Sequence, residues 1–352
     1  MHYRQLGQSR LPAVLVLAFS LTFAACSSVS AKGDVEAYTD TKQLQQLVND
    51  AHAKFKGVKD GKNADYIPIL ATIPSELFGV VIATRDGTVY AAGDVDYRFS
   101  IQSVSKPFTA ALVMQQFGTP QVILEKIGVE ATGLPFNSKM ALELYKQRSV
   151  NPLVNAGAIA AVSLIKADSE EERWQLVLDN ISGFAGASEL PLLEKVYNSE
   201  YETSWGNRAI ANLLFNYERL YADPEETLRV YTKQCSIGIN TKDLALMGAT
   251  LANGGVNPKT GKRMLDESSV PELLAIMLTA GFYDESGQWS FTAGLPSKTG
   301  VGGGIVAVVP GKLAIAAFSP RLNEAGNSVR AQMAIRYIAG VLGVGIFGPN
   351  PD

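Results

Sequence analysis

Ser103 and Lys106 stand three positions apart in the run Ser103-Val104-Ser105-Lys106. On a helix, positions i and i+3 share a face, so the lysine amine can lie beside the serine hydroxyl. A serine hydroxyl is a weak nucleophile until a base removes its proton, and a lysine that burial keeps neutral can be that base. The pattern is common by chance, and a surface Ser and Lys at the start of a helix would show it as well.

A second cluster, Lys298-Thr299-Gly300, precedes a buried-strand pattern at 304–309. In serine acyl-transferases of the penicillin-binding type, Lys-Thr-Gly lies on a strand that lines the site and offers a cation and a hydroxyl to the substrate. The same triplet at 259–261 follows a polar Gly-Gly segment, which indicates a turn. We therefore expect the triplet at 298 to form the wall opposite Ser103.

Histidine is scarce, because the chain contains only His2 and His52. His2 falls in a predicted export signal, and His52 falls in a helix-like stretch over 40–57, where a structural or surface role is expected. A Ser-His-Asp triad would have to rest on His52 alone, and a zinc site needs clustered ligands. Acid–base chemistry must therefore use Lys, Tyr, Asp or Glu. No metal and no cofactor is expected.

The composition describes a globular protein. The chain has 352 residues, 47% of them hydrophobic, which is enough for a sizeable core in one large domain or two. Charged residues make up 18%, the formal net charge is −3, and there is no basic stripe. Because nucleic-acid-binding surfaces carry such stripes, no nucleic-acid partner is expected.

The N-terminus has the pattern of an export signal. Arg4 and Arg10 supply positive charge before an apolar run over residues 11–25, and this run is too short for a typical membrane span. The alternative is an apolar helix retained in the fold. We expect an exported protein in the periplasm or cell envelope, with a signal peptide over 1–26, a tether over 27–38 and a catalytic domain over 39–352.

Two processing sites compete in this segment. Phe23-Ala24-Ala25-Cys26 resembles a bacterial lipobox, with Phe in place of the usual Leu, and would leave a lipid anchor at Cys26. Ordinary signal peptidase could instead cut near Ala31. Cys26 and Cys235 are the only cysteines, so the mature chain would contain no disulfide and would depend on its core for stability.

Strand patterns lie at both ends of the globular part. Phe78–Ala83 and Thr88–Ala91 are predicted strands joined by a turn at 85–87. Gly304–Val309 and Leu313–Phe318 form a second predicted pair, followed by a helix from about Ser328 to Leu342. Asn327 is a plausible N-cap for that helix.

Helical spacing dominates between these strand pairs. It covers Ser103–Phe117 and much of 119–250, for example Met140–Gln147, Glu171–Asn180 and Arg208–Leu220. The order of strands, helical insertion, strands and terminal helix predicts an α/β (α+β) protein, in which an antiparallel sheet is flanked by helices and a second lobe, about 119–250, is mostly helical.

Several segments, taken together, resemble the bacterial and animal glutaminase family, whose catalytic domain is of the β-lactamase/DD-peptidase type. They occur in order along the chain, from about residue 44 to 342, and such a collinear series is far more specific than any one motif. The segments are Tyr66-Ile67-Pro68, Ile101–Lys106, Phe136-Asn137-Ser138, Asn151–Ile159, Cys235-Ser236-Ile237, Leu251–Gly255, Gly281–Gln288 and Gly294–Val301.

The resemblance implies a role for each matching residue. It implies hydrolysis of L-glutamine through Ser103 as nucleophile and Lys106 as its activating partner, with Tyr283 aiding proton transfer and Lys298 adding positive potential. Val301 would offer a backbone N–H to the oxyanion. The residues implied to hold glutamine are Tyr66, Ser103, Asn155, Glu200, Asn207, Tyr231, Tyr283 and Val301.

One segment departs from the family pattern. After Ser199-Glu200 the family usually shows a Gly-Asp-Arg-Asn type run, whereas this chain has Ser204-Trp205-Gly206-Asn207. Asn207 keeps its offset from Glu200, but its surroundings differ, which leaves its contact open. The division of work between Lys106 and Tyr283 is also open.

Two other functions fit some of these features. A penicillin-binding or β-lactamase-type acyl-serine hydrolase would share the Ser-x-x-Lys and Lys-Thr-Gly elements, and a non-catalytic amino-acid-binding lipoprotein would share the glutamine contacts. The resemblance favours a glutaminase that assembles as a homodimer or homotetramer. Export is unusual for this family.

Overall fold

The computed structural model describes residues 41–348. The predicted signal peptide (1–26) and tether (27–38) lie outside the described residues, which belong to one compact unit. The strands are β1 Gly79–Thr84, β2 Val89–Gly93, β3 Phe99–Ser100, β4 Gly238–Ile239, β5 Ser297–Thr299, β6 Gly304–Val309 and β7 Leu313–Phe318. The helices of the described part are α1 Thr41–Phe55, α2 Pro68–Ala71, α3 Lys106–Phe117, α4 Gln121–Lys126, α5 Met140–Leu144, α6 Asn155–Leu164, α7 Glu170–Ala185, α8 Glu194–Thr203, α9 Trp205–Asn216, α10 Pro224–Cys235, α11 Thr241–Ala252, α12 Val270–Ala280, α13 Ser286–Thr292 and α14 Val329–Leu342.

The main sheet has five antiparallel strands in the order β2-β1-β7-β6-β5. Both predicted strand pairs are confirmed as hairpins, and β7 joins them by pairing with β1 and β6. Strands β6 and β7 are buried along their whole length. Their sequences contain no polar side chain because both faces of these strands are buried, whereas a strand with one exposed face would alternate apolar and polar residues.

Helices cover the two faces of this sheet. Val306, Val308 and Ala314 face a core that includes α3, α7 and α11, whereas Ile305, Ala307 and Ile315, with the opposite side-chain direction, face α1 and α14. The period-2 alternation of a strand therefore divides one apolar sequence between two cores. This arrangement is the predicted antiparallel sheet flanked by helices.

The long stretch between the hairpins is helical. Helices α4 to α11 lie between residues 121 and 252, and β4 from this stretch pairs with β3 just before Ser103. The same stretch supplies α6, α8, α9 and α10. Helix α10 contacts the other three, and α6 packs against α3. These helices bring side chains from distant sequence positions to Ser103.

Some local predictions were wrong. Asn327 does not cap the terminal helix, because Ser328 occupies the N-cap position and the Asn327 amide instead donates to Glu285. Helix α5 ends at Leu144 rather than Gln147, and α9 begins at Trp205 rather than Arg208. Within residues 41–348, no helix is long and apolar enough to span a bilayer.

Candidate active site

Ser103 lies on a 3-10 turn, Gln102–Ser105, that leads directly into α3. The predicted helix is therefore split, and Ser103 precedes the regular helix by one turn. Gln102 has a φ of 50°, in the left-handed region that side chains other than glycine adopt at a cost. Ser103 is buried except for 6% of its surface, and it lines a small cavity.

Lys106 is the first residue of α3 and is wholly surrounded by protein. Its amine donates to Asn155 Oδ1 at 2.7 Å. Burial lowers the pKa of Lys106 to about 8, against smaller opposing effects of Cys235 and Glu200. This lowering increases the fraction of neutral amine near physiological pH, and the neutral amine is the form that can act as a base.

Tyr283 is the direct partner of Ser103. Burial raises the pKa of the Tyr283 phenol well above its usual value, and a hydrogen bond with the Ser103 side chain acts in the opposite direction. Tyr283 has a φ of 57°, so a second non-glycine residue of the site has left-handed backbone. The Lys106 Nζ lies 5.8 Å from the centre of its ring.

Asn155 and Asn207 form a polar bridge beside Lys106. Asn155 opens α6, and its Nδ2 donates to Asn207 Oδ1 at 2.9 Å. Asn207 lies in the first turn of α9 and lines the same cavity as Ser103. The unusual 204–206 segment therefore leaves Asn207 at the cavity, while Trp205 lies 73% exposed on the surface.

Glu200, on α8, is a buried carboxyl group at the cavity wall. Its Oε2 accepts from Gln102 Nε2 at 2.9 Å. Burial raises the pKa of Glu200 to about 7, and the Gln102 hydrogen bond and Lys106 act in the opposite direction. A buried carboxyl that ionises near neutrality favours a cationic partner.

Two further tyrosines border the cavity. Tyr231 is buried and hydrogen-bonded to Cys235, and burial raises the pKa of its phenol. Tyr66 is 52% exposed, yet burial followed by the charge of Glu200 raises the pKa of its phenol. The exposed part of Tyr66 is therefore the body of the residue, while its hydroxyl end is directed to the cavity.

The strand after the helical lobe forms the opposite wall. Gly300 and Val301 follow β5, and a Cβ atom added to Gly300 would lie 3.2 Å from the backbone nitrogen of Ser103. The missing side chain thus allows β5 and the Ser103 turn to approach closely, as the Lys-Thr-Gly pattern predicts. Val301 lines the cavity as well.

The structure brings the predicted site residues together around one cavity of about 200 Å³. Lys106 and Tyr283 lie behind Ser103, and Lys298 lies behind Tyr283, with its amine 3.9 Å from the centre of that ring. His52 is remote from this site and stacks on Phe78 instead. The predicted residues that line the cavity are Tyr66, Ser103, Asn155, Glu200, Asn207, Tyr231 and Val301.

Gln102 is a site residue that the sequence did not single out. It is buried, donates a hydrogen bond to Glu200 and lines the cavity next to Ser103. Its position before Ser103 was the available signal, but its left-handed backbone cannot be read from a glutamine in the sequence. Among residues 41–348 there is no group of three His, Cys, Asp or Glu side chains placed to hold a metal ion.

A serine at the start of a helix, a buried lysine one turn on and a facing Lys-Thr-Gly strand lie together beside an antiparallel sheet, which is the arrangement that the sequence predicted for a protein of the β-lactamase-like fold. The relationships of the chain narrow this class. A family model described as Glutaminase matches residues 61–347.

Relatives and solved structures agree with that match. The Glutaminase of Colwellia psychrerythraea (strain 34H / ATCC BAA-681) is 54% identical over 304 residues, covering 86% of this chain and 97% of that protein. Glutaminase 1 of Escherichia coli (strain K12) is 51% identical over 308 residues, covering 88% and 99%. A solved structure described as a probable glutaminase, ybaS, has a TM-score of 0.86 at 51% identity, covering 88% of this chain and 99% of that one.

A more distant structure, Mglu in its glutamate form, has a TM-score of 0.82 at 34% identity, covering 87% of this chain and 70% of that one. The chain belongs to the glutaminase family. It is an amidohydrolase that converts glutamine to glutamate, and its fold is the β-lactamase-like fold that the resemblance implied.

Proposed function

We propose that the cavity at Ser103 is where this glutaminase cleaves the side-chain amide of L-glutamine. The Ser103 oxygen attacks the γ-carboxamide carbon, the C–N bond breaks, and ammonia leaves with a proton from the site. Water then attacks the γ-glutamyl ester and releases glutamate and Ser103. The observation that carries this proposal is the grouping of Ser103, a buried carboxyl group and amide donors around one small cavity.

The proton of Ser103 has a path in this arrangement. Tyr283 accepts the serine hydrogen bond, but its raised pKa keeps the phenol protonated near neutrality. Tyr283 can therefore take the serine proton only if its own proton moves on. Lys106, with its lowered pKa and its position beside the Tyr283 ring, is the base suited to receive it.

Recognition of the amino acid follows from charge. Glu200 in its ionised form would pair with the α-ammonium, because a buried carboxylate gains most from a cation. The amides of Asn155 and Asn207 and the hydroxyls of Tyr66 and Tyr231 would hold the α-carboxylate.

The backbone N–H groups of Ser103 and Val301 would stabilise the oxyanion. Losing one such donor typically costs ~10²–10³ in rate.

Replacing the nucleophile tests this mechanism. Ser103→Ala is expected to abolish ammonia release from glutamine, measured with a coupled glutamate assay, while thermal unfolding stays close to that of the parent. Ser188→Ala, which changes an exposed serine, is the matched control and should retain full activity. Near-parental activity of Ser103→Ala would overturn the mechanism.

The assay also separates the related functions. Asparagine is one methylene shorter, and placing its amide at Ser103 would draw its ammonium away from Glu200. Asparagine should therefore be a poor substrate, and nitrocefin should not be opened at an appreciable rate. Glutamine-dependent thermal stabilisation without ammonia release would instead indicate a binding protein.

We further propose that the chain is exported to the periplasm or cell envelope and that Cys26 carries a lipid anchor. The lipobox-like Phe23–Cys26 segment after the apolar run supports this proposal. Assembly as a homodimer or homotetramer is proposed from the family resemblance. Residues 39–352 are proposed to form the glutaminase catalytic domain.

A further inference from the structure

Lys298 is a buried lysine to which the steps above assign no task. It lies on β5, has no exposed surface, and is not among the residues that line the Ser103 cavity. Burial, with a contribution from Lys106, lowers its pKa well below the ordinary value, and Cys235 opposes this shift.

The Lys298 amine joins two backbone segments. It donates to the carbonyl oxygen of Thr299 at 2.7 Å and to that of Gly281 at 3.2 Å. A protonated or a neutral amine supplies the two hydrogens that these carbonyls accept. Since Gly281 immediately precedes the turn that carries Tyr283, Lys298 links this turn to β5.

The linked turn is strained. Tyr283 has left-handed backbone, and such a residue costs about 1–3 kcal/mol and persists only where its surroundings hold it. The Gly281 carbonyl also accepts from the Thr299 backbone N–H at 3.3 Å. A Cβ atom added to Gly281 would lie 1.8 Å from the Ser297 carbonyl oxygen, so the turn is pressed against β5.

Lys298 and the Tyr283 hydroxyl share one backbone acceptor. The carbonyl oxygen of Thr299 accepts the short bond from Lys298 and a long one, 3.4 Å, from the Tyr283 hydroxyl. If Lys298 were removed, this carbonyl would be free to draw the phenol towards β5. The phenol also has a hydrogen bond with the Ser103 side chain, so a shift of the phenol towards β5 would move it away from Ser103.

We propose that Lys298 is a positioning residue that holds the Tyr283 phenol on Ser103 by tying the Gly281–Tyr283 turn to β5. Its role in the reaction is therefore exerted through Tyr283 rather than through charge presented to glutamine. This inference rests on the proposed proton path through Tyr283.

Lys298→Met removes the donors and keeps most of the side-chain length. We expect kcat for glutamine to fall about 10²-fold, the cost of misplacing a reacting group by about 1 Å. KM should stay within about threefold, since the Lys298 amine bonds to the Gly281 and Thr299 carbonyls and not to Glu200, which is proposed to pair with the substrate ammonium. Lys298→Arg, which keeps donors, should recover part of kcat, and Lys312→Met in the β6–β7 turn is the control that should change neither constant.

A double-mutant cycle separates positioning from general damage to the fold. If Lys298 acts through Tyr283, adding Lys298→Met to Tyr283→Phe should lower kcat by less than about twofold, because the two changes remove one shared contribution. A structural role alone would lower kcat in both backgrounds by the same factor.

Three outcomes would overturn the inference: full additivity in the cycle, a rise in KM that equals the fall in kcat, or parental kcat in Lys298→Met. If Lys298→Met does not fold, as judged by circular dichroism, Lys298→Gln and Lys298→Arg carry the same cycle. Activity retained by Ser103→Ala would refute the proposed mechanism itself, whereas an additive cycle in a Ser103-dependent enzyme refutes only the role of Lys298.

Discussion

Glu200 shows how burial can prepare one residue for a substrate. Only 7% of the surface of Glu200 is exposed, and its carboxylate accepts a hydrogen bond from the neutral amide of Gln102. An ionised carboxylate in such a place is costly until a cation arrives, which is why its pKa is raised to about 7. The ammonium of an amino acid would repay that cost.

We therefore expect the KM for glutamine to rise as the pH falls below about 7. In that range folded Glu200 takes up a proton and can no longer pair with the ammonium, so KM should approach about a tenfold rise per pH unit. KM measured between pH 5 and 8 checks this. Glu200→Gln should raise KM and remove the dependence, while exposed Glu194→Gln on the same helix should leave both unchanged. A flat parental profile would contradict the role of Glu200.

The raised pKa of Glu200 also makes the free energy of unfolding depend on pH. Because the folded pKa is raised above the ordinary 4.5, the folded protein binds a proton that the unfolded chain has lost between pH 4.5 and about 7. The contribution of Glu200 to the free energy of unfolding is therefore fully present below pH 4.5 and decreases as the pH rises through this window.

The sequence allowed the side chains of the site to be predicted, but not the backbone conformations that position them. Ser103, Lys106 and Lys298 could be proposed from residue types and spacing, and the family resemblance added Glu200. The left-handed conformations of Gln102 and Tyr283 could not be predicted, because neither residue type favours positive φ and the strain is held by surrounding structure.

At the scale of elements, continuous apolar runs were reliable and helix ends were not. The β6 and β7 sequences predicted buried strands because their apolar runs are only six residues long and are separated by a Pro-Gly turn. Asn327 was predicted as an N-cap, but its side-chain amide instead donates a hydrogen bond to the distant Glu285. A local capping preference of about 1 kcal/mol is small enough for one hydrogen bond to a carboxylate to override.

Helix α11 has a cap that does follow the local rule. Asn240 Oδ1 accepts from the Asp243 backbone N–H at 2.9 Å, and the Asp243 carboxylate accepts from the Asn240 N–H at 3.0 Å. Asn240→Ala should lower the free energy of unfolding by about 1 kcal/mol without changing kcat/KM. Urea unfolding at constant m-value checks this, with exposed Asn49→Ala as the control. A fall in kcat/KM, or an unchanged free energy of unfolding, would contradict this prediction.

At the scale of the molecule, the site depends on contacts between distant parts of the chain. Strand β1 pairs with β7 across more than two hundred residues, and this pairing brings the segment after β5 to the Ser103 turn. Short-range patterns predict the elements but not which of them meet. The collinear resemblance supplied that information, since a whole-chain match carries the long-range arrangement with it.

The lipid anchor proposed at Cys26 can be tested by labelling the protein. If Cys26 is acylated, the full chain expressed in a Gram-negative host with an alkyne-labelled fatty acid should carry the label and fractionate with membranes, because each buried CH₂ of an acyl chain adds about 0.8 kcal/mol of membrane affinity. Cys26→Ser should lose the label, whereas Cys235→Ser should keep it, since Cys235 is buried in the folded protein. An unlabelled, water-soluble parental protein whose N-terminus lies just after Ala31 would contradict the anchor and identify ordinary signal cleavage instead.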